Sequence, residues 1–227
     1  MSASNNNNIE NGSETNENIE NIETNEEPVK NPNHRLNMDL DILDNDGNTA
    51  LALACKNGYE EIIEILCSTK NPKIGINVPN KEGNTPLLLV CAKDCRKSVE
   101  CLIKRGANRH HVNNNGENAL MIACKNGHIN VVEELIKDPQ IDDDIEEEIN
   151  ENDLDVNDLD KNDNSALSLA VRENHVFVVK YLMDNFGKIL TEHVIRQAYR
   201  EAEEKGFQDV MKIIPYQCYS KPARSAQ

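Results

Sequence analysis

A chain of 227 residues with 38% hydrophobic and 4% aromatic residues and no Trp suits thin helix-pair cores of Leu, Ile, Val and Ala rather than one large globular core. Its formal net charge of −16 opposes nucleic-acid phosphate. No apolar run approaches the roughly 20 residues that span a bilayer, and no hydrophobic segment opens the N-terminus, so neither membrane insertion nor export by a recognisable signal is expected.

Residues 1–37 are a low-complexity tract of Asn, Glu, Ser and Thr with very few apolar side chains. Such a tract cannot offset the backbone entropy lost on ordering, and a disordered tail is expected. Asp44-Asn45-Asp46-Gly47 then has the Asx residues and terminal Gly of a β-turn. Thr49 follows as an N-cap, and the helix it opens stops at Gly58, where a left-handed residue is cheapest. Ile62-Ile63-x-Ile65-Leu66 has the spacing of a second helix buried along one stripe.

The same order then returns. Asn80-Lys81-Glu82-Gly83 leads to Thr85, to Pro86 at the first helical position, and to a stop at Asp94. Asn113-Asn114-Asn115-Gly116 leads to Asn118, to a stop at Gly127, and to Val131-Val132-x-x-Leu135-Ile136. An acidic block, 138–160, intervenes from Asp138-Pro139 onward, before Ser165 opens a helix that stops at Asn174 and is followed by Val178-Val179-x-Tyr181-Leu182. Gln197 opens the fifth first helix, which stops at Gly206 ahead of Val210-Met211-x-Ile213-Ile214, and 215–227 is read as a flexible tail. From Thr49 through Thr85, Asn118 and Ser165 to Gln197 the steps are 36, 33, 47 and 32 residues. The basic period is about 33, and the long step is an insertion that maps to a loop on one face.

Turn, helix, helix at this period, with these residues at these offsets from Met38 to Ile214, resembles the ankyrin repeat. The resemblance implies an all-α solenoid, 38–214, of about five stacked helix-turn-helix units joined by β-turn hairpin tips. One departure is that the His of the family's Thr-Pro-Leu-His phrase is replaced by Ala52, Leu88, Met121, Ser168 and Arg200, which implies ordinary rather than very high stability. The last unit has Glu201 and Glu203 at inner positions and Thr191–Arg196 in place of a turn hairpin, as expected of a polar C-terminal cap.

The acidity is not spread evenly. Residues 1–43 carry nine acidic and two basic residues, and 138–160 carry twelve acidic and none basic, which leaves the stack mildly basic. The residue pairs before each helix stop supply Lys56, Lys93, Lys125, Arg172 and Lys205, one cation per repeat. These cations suit the dipole of a helix C-terminus, and they also suit a groove that steers an acidic segment of another protein. The tips add Asn45, Asp46, Lys81, Glu82, Asn114, Asn115 and Lys161. Polar residues that vary over a constant frame are what a binding surface needs, and they are also what any turn prefers. Interface anchors of the aromatic or Arg kind are few: Tyr59, Arg96, Arg105 and Arg109.

Cys55, Cys91 and Cys124 share one repeat position and read as small core residues. The other cysteines form no close Cys-x-x-Cys pair, so no metal or cofactor is expected, and free thiols suit a reducing compartment. No phosphate loop, nucleophile elbow or His-Glu-x-x-His motif is present, and the carboxylate clusters lie off any rigid element. His128 and His175 recur at one position and read as local structure.

The sequence therefore points to a monomeric, non-catalytic adaptor, cytoplasmic or nuclear, that binds another protein through its turn tips and the concave inner-helix face, and neither nucleic acid nor membrane. The alternative is a chaperone or sequestering inhibitor whose acidic insertion masks a basic protein surface.

Overall fold

Each turn is held by one Asx side chain. In the computed structural model, which describes residues 42–69, 74–137 and 156–214, Asp44 Oδ1 accepts the backbone N–H of Asp46 and Asn48 at 2.9 and 2.8 Å. Asn80 does the same for Glu82 and Asn84, Asn113 for Asn115 and Glu117, and Asp160 for Asn162 and Asn164, all at 2.8 to 3.0 Å. The turn closes with a left-handed residue, a role that Asp163 (φ 61°) takes in the fourth turn, where the others have Gly. The acidic insertion, apart from residues 156–160, and the two tails lie outside the described residues.

The turns deliver the chain to buried caps. Thr49, Thr85, Asn118 and Ser165 accept the backbone N–H of Ala52, Leu88, Met121 and Ser168, and so open α1 (Ala50–Asn57), α3 (Pro86–Cys91), α5 (Ala119–Asn126) and α7 (Ala166–Arg172). Each oxygen satisfies one of the N–H groups that a helix start leaves unpaired. The chain reverses into α2 (Glu60–Ser68), α4 (Arg96–Lys104), α6 (Ile129–Ile136) and α8 (Val176–Phe186), and the fifth pair is α9 (Glu192–Lys205) with α10 (Gln208–Ile213). Every described helix belongs to one of these five pairs.

First helices pack on first helices and second on second, in chain order, into one continuous core. The order runs on across the long step of the repeat, with α5 packed on α7 and α6 on α8. Cys55, Cys91 and Cys124 lie in that core as free thiols, and burial pushes each thiol well above its ordinary pKa. They are packing residues.

Three sequence expectations are corrected. Asp94 is not a left-handed helix stop. The helix already ends at Cys91, with Ala92 as cap and the Lys93 N–H on the Val90 carbonyl at 2.9 Å, so a tight turn reverses the chain with no positive φ at Asp94. Gln197 does not open the fifth helix, because Thr191 is the cap and α9 starts five residues earlier. The extra turn of helix stands, in chain order, where the other units have a hairpin. Glu201 does not face away from the stack: its Oε1 meets Arg172 Nε at 2.5 Å. Glu203 is exposed, as a terminal unit requires.

The helix ends offer a clean comparison. Gly127 and Gly206 both cap a helix with φ above +70°, but a Cβ at Gly127 would sit 2.4 Å from His175 Nδ1, while one at Gly206 would meet nothing within 4 Å. Gly206→Ala should therefore cost about 1 kcal/mol, the strain of a left-handed alanine. Gly127→Ala should cost roughly 1 kcal/mol more, because His175 must also give up a hydrogen bond. Urea unfolding midpoints of the two variants check the order.

Candidate protein-binding surface

The tips are joined to one another by backbone hydrogen bonds. Lys81 N–H donates to the Asp46 carbonyl, Asn114 N–H to that of Glu82, and Lys161 N–H to that of Asn115, at 2.9 to 3.0 Å. Amides brace the same joints: Asn80 Nδ2 donates to Asn48 Oδ1 and Asn113 Nδ2 to Asn84 Oδ1, both at 3.0 Å, and Asn114 Nδ2 donates to the Lys81 carbonyl at 2.9 Å. The row ends where Gln197 Nε2 reaches the Asp163 carbonyl at 2.8 Å. Backbone held this way presents its outward side chains at a set spacing. Asn45, Asp46, Lys81, Glu82, Asn114, Asn115 and Lys161 are all exposed along it.

Between the tips and the first helices of the second and third units lies a groove of about 630 Å³. Lys81, Glu82, Asn114 and Asn115 form its tip wall, Lys125 and Asn126 its far wall, and Leu88, Leu89 and Ile122 its floor. Five of the residues singled out in the sequence thus meet in one place. Asn45, Asp46, Lys56, Lys93, Lys161, Arg172 and Lys205 do not line it.

The five cations at the helix ends differ in what they do. Lys125 Nζ pairs with Glu117 Oε1 at 2.9 Å, and Arg172 bonds to both Glu201 and Asn164 Oδ1, the latter at 2.6 Å. Lys205 Nζ donates to the Arg172 carbonyl at 2.7 Å and lies over the Phe207 ring. The side chains of Lys56 and Lys93 are exposed, and their Nζ groups make no hydrogen bond or ion pair among the described residues; the same holds for Nζ of the tip lysines Lys81 and Lys161. The accessible unpaired cations thus lie both at helix ends, Lys56 and Lys93, and at the tips, Lys81 and Lys161.

The arginines expected as anchors are used within the stack. Arg96 Nε pairs with Glu134 at 3.0 Å, Arg105 Nη2 donates to the Thr69 carbonyl at 3.0 Å, and Arg109 reaches the Leu135 carbonyl. Each spans two units. His128 Nε2 and His175 Nε2 donate to the Ala92 and Lys125 carbonyls of the preceding unit at 3.2 and 3.0 Å, which accounts for their recurrence. Two features escaped the sequence. Phe177 is the most exposed large apolar side chain described, yet its place in a Val-Phe-Val-Val run reads as interior. Burial, together with the neighbouring Cys101 thiol on α4, pushes the Cys67 thiol on α2 up to about 12. The two are one repeat apart, which no local spacing reveals.

The sequence model of the family described as ankyrin repeats (3 copies) matches residues 31–108 and 88–193. The chain is an ankyrin-repeat protein. No curated protein sequence matches it at a significant level. Ankyrin repeats generally mediate protein–protein interaction and are typically not catalytic. Among the described residues of this ankyrin stack no helix is long and apolar enough to cross a membrane, and no group of three or more His, Cys, Asp or Glu could hold a metal ion.

Glu117 gives the groove a pH signature. Burial alone would raise its pKa, but hydrogen bonds from Asn113 and Lys125 and the Lys125 charge outweigh that and hold it below the ordinary 4.5. A carboxylate lowered on folding stabilises the protein above its unfolded value, and the contribution is lost as pH falls through the folded one. Glu117→Gln should therefore lower stability at pH 7 and flatten the loss below about pH 4.5, as thermal unfolding over a pH series would show.

Proposed function

We propose that the groove between the second and third units receives a segment of another protein, and that the chain acts as a non-catalytic adaptor in the cytoplasm or nucleus. The observation that carries this reading is the groove itself. It combines an apolar floor at Leu89 and Ile122, amide side chains on both walls, and tips whose backbone is already tied down. A partner that docks there pays little ordering entropy on this side of the interface, and shape with a few hydrogen bonds supplies the rest.

The tip lysines Lys81 and Lys161 favour a partner segment that carries acidic side chains near the tips. Such charges lie at the rim and are screened beyond about 8–10 Å at physiological salt, so they set encounter rate more than final affinity. Lys125 contributes less than its position suggests, because Glu117 already neutralises it. The remaining tip and helix-end positions, Asn45, Asp46, Lys56, Lys93, Arg172 and Lys205, serve in this reading as flanking contacts for a longer partner.

The test is an affinity capture with the full chain, repeated with Lys81→Glu combined with Asn115→Glu and, as a control, Lys97→Glu on the second-helix face. A partner held in the groove should fall by roughly tenfold with the first variant and stay within twofold with the second. Capture that is unchanged by the groove variant and lost with Lys97→Glu would overturn the reading.

A further inference from the structure

The stack has two ends, and only one of them is finished. Five copies of one register allow a direct comparison on α2, whose Ile62 is 47% exposed while Ser98, Val131, Val178 and Val210 at the same position are at most 1% exposed. Ile65, one helical turn on, is 64% exposed. On α1, Leu53 is 36% exposed against 8% for Ile122 and 2% for Leu169, and Ala50 is exposed where Ala119, Ala166 and Ala198 are buried. Ala50 and Leu53, like Ile62 and Ile65, stand three residues apart, so each pair lies on one side of its helix. Together they form an apolar face of the kind that each later unit presses against the unit before it.

Its border is charged with one sign. Glu61 and Glu64 are exposed beside Ile62 and Ile65, Glu60 precedes them, and α2 has no basic residue. The cations nearest to α2 in sequence are Lys56, at the end of α1, and Lys70, which lies outside the described residues.

Three occupants can be compared. A unit upstream in the chain would place residues 24–32 over α2, by the 36-residue step, but that stretch has Pro28 and Pro32 and a single apolar residue, Val29. Its sequence lacks the apolar stripe that such a unit would need. A second copy would bring Glu61 and Glu64 against their own equivalents around a twofold axis, and among the described residues the exposed side chains of the last unit include Glu203, Lys205 and Gln208, with Met211 and Ile213 only partly exposed. An amphipathic helix of another protein, with an apolar stripe flanked by Lys or Arg, satisfies both the face and its rim.

We propose that the N-terminal end of the stack, centred on Ile62 and Ile65, is a docking face for a basic amphipathic helix of another protein. This site is separate from the groove and does not depend on it. The partner helix completes the stack, burying the two isoleucines as a preceding unit would and pairing its cations with Glu61 and Glu64.

The experiment uses the full chain and a synthetic helical peptide of about 14 residues with Leu at i, i+3, i+4 and i+7 between lysines, read by fluorescence anisotropy. A peptide with Glu in place of Lys is the control. Ile62→Ser with Ile65→Ser leaves the charge untouched, and Ser is the residue that the second unit itself has at the register of Ile62, as Ser98. The Leu/Lys peptide should bind the parent chain roughly tenfold more tightly than this variant, and Glu61→Lys with Glu64→Lys should reverse the preference between the peptides. Equal binding by parent and double-Ser variant would overturn the proposal, since only the overall charge of −16 would then attract the peptide. A dimer of the parent chain that Ile62→Ser with Ile65→Ser dissociates would overturn it in favour of a second copy. Changed hydrogen exchange in residues 1–41 of the free variant would overturn it in favour of the chain's own N-terminal segment.

Discussion

The stack rests on one hydrogen-bonding pattern, the acceptance of two backbone N–H groups by the side-chain oxygen of Asp44, Asn80, Asn113 and Asp160. Because that oxygen gathers the N–H groups two and four residues on, the turn has one pattern in each of the first four units and leads into a cap at the same offset. The caps then start the first helices in step. Without this agreement the apolar stripes would not meet, and no helix pair buries its own stripe alone.

The same polar groups hold the units together and limit what they can offer a partner. Arg96, Arg105 and Arg109 bond to the neighbouring unit, as do His128 and His175, and Lys125 and Arg172 have carboxylates of their own. A charge already satisfied contributes little when a ligand arrives. What stays available lies farther out, on the tip side chains and the apolar floor between them, and on the uncovered face of α1 and α2.

Much of the fold was legible because a repeat reports itself several times over. Thr49, Thr85, Asn118 and Ser165 are caps that chemistry alone selects, and Gly58, Gly127 and Gly206 are stops for the same reason. Legibility failed where a unit left the pattern. Asp94 stood in a glycine position without needing a glycine conformation, and Gln197 stood in a cap position inside a longer helix. In both cases alignment to the other copies misled, because the local chain had a different hydrogen-bonding solution. Five of the proposed surface residues converge on one groove, whereas the role of Glu117 in muting Lys125 went unseen, since the two are eight residues apart and meet only once α5 is formed.

The sequence by itself determined the period, the caps, the turns and the core, because each depends on residues close together in the chain and on a pattern repeated five times. Tertiary structure alone decided which cations are spent between units, which thiols meet, and which copy of a buried register is left bare. Cys67 meets Cys101, and Ile62 lies open while Val131 is sealed, through stacking of units about 33 residues apart. A residue's exposure in a solenoid is a property of its neighbours along the stack, and the identity of the residue does not encode whether it stands at an end.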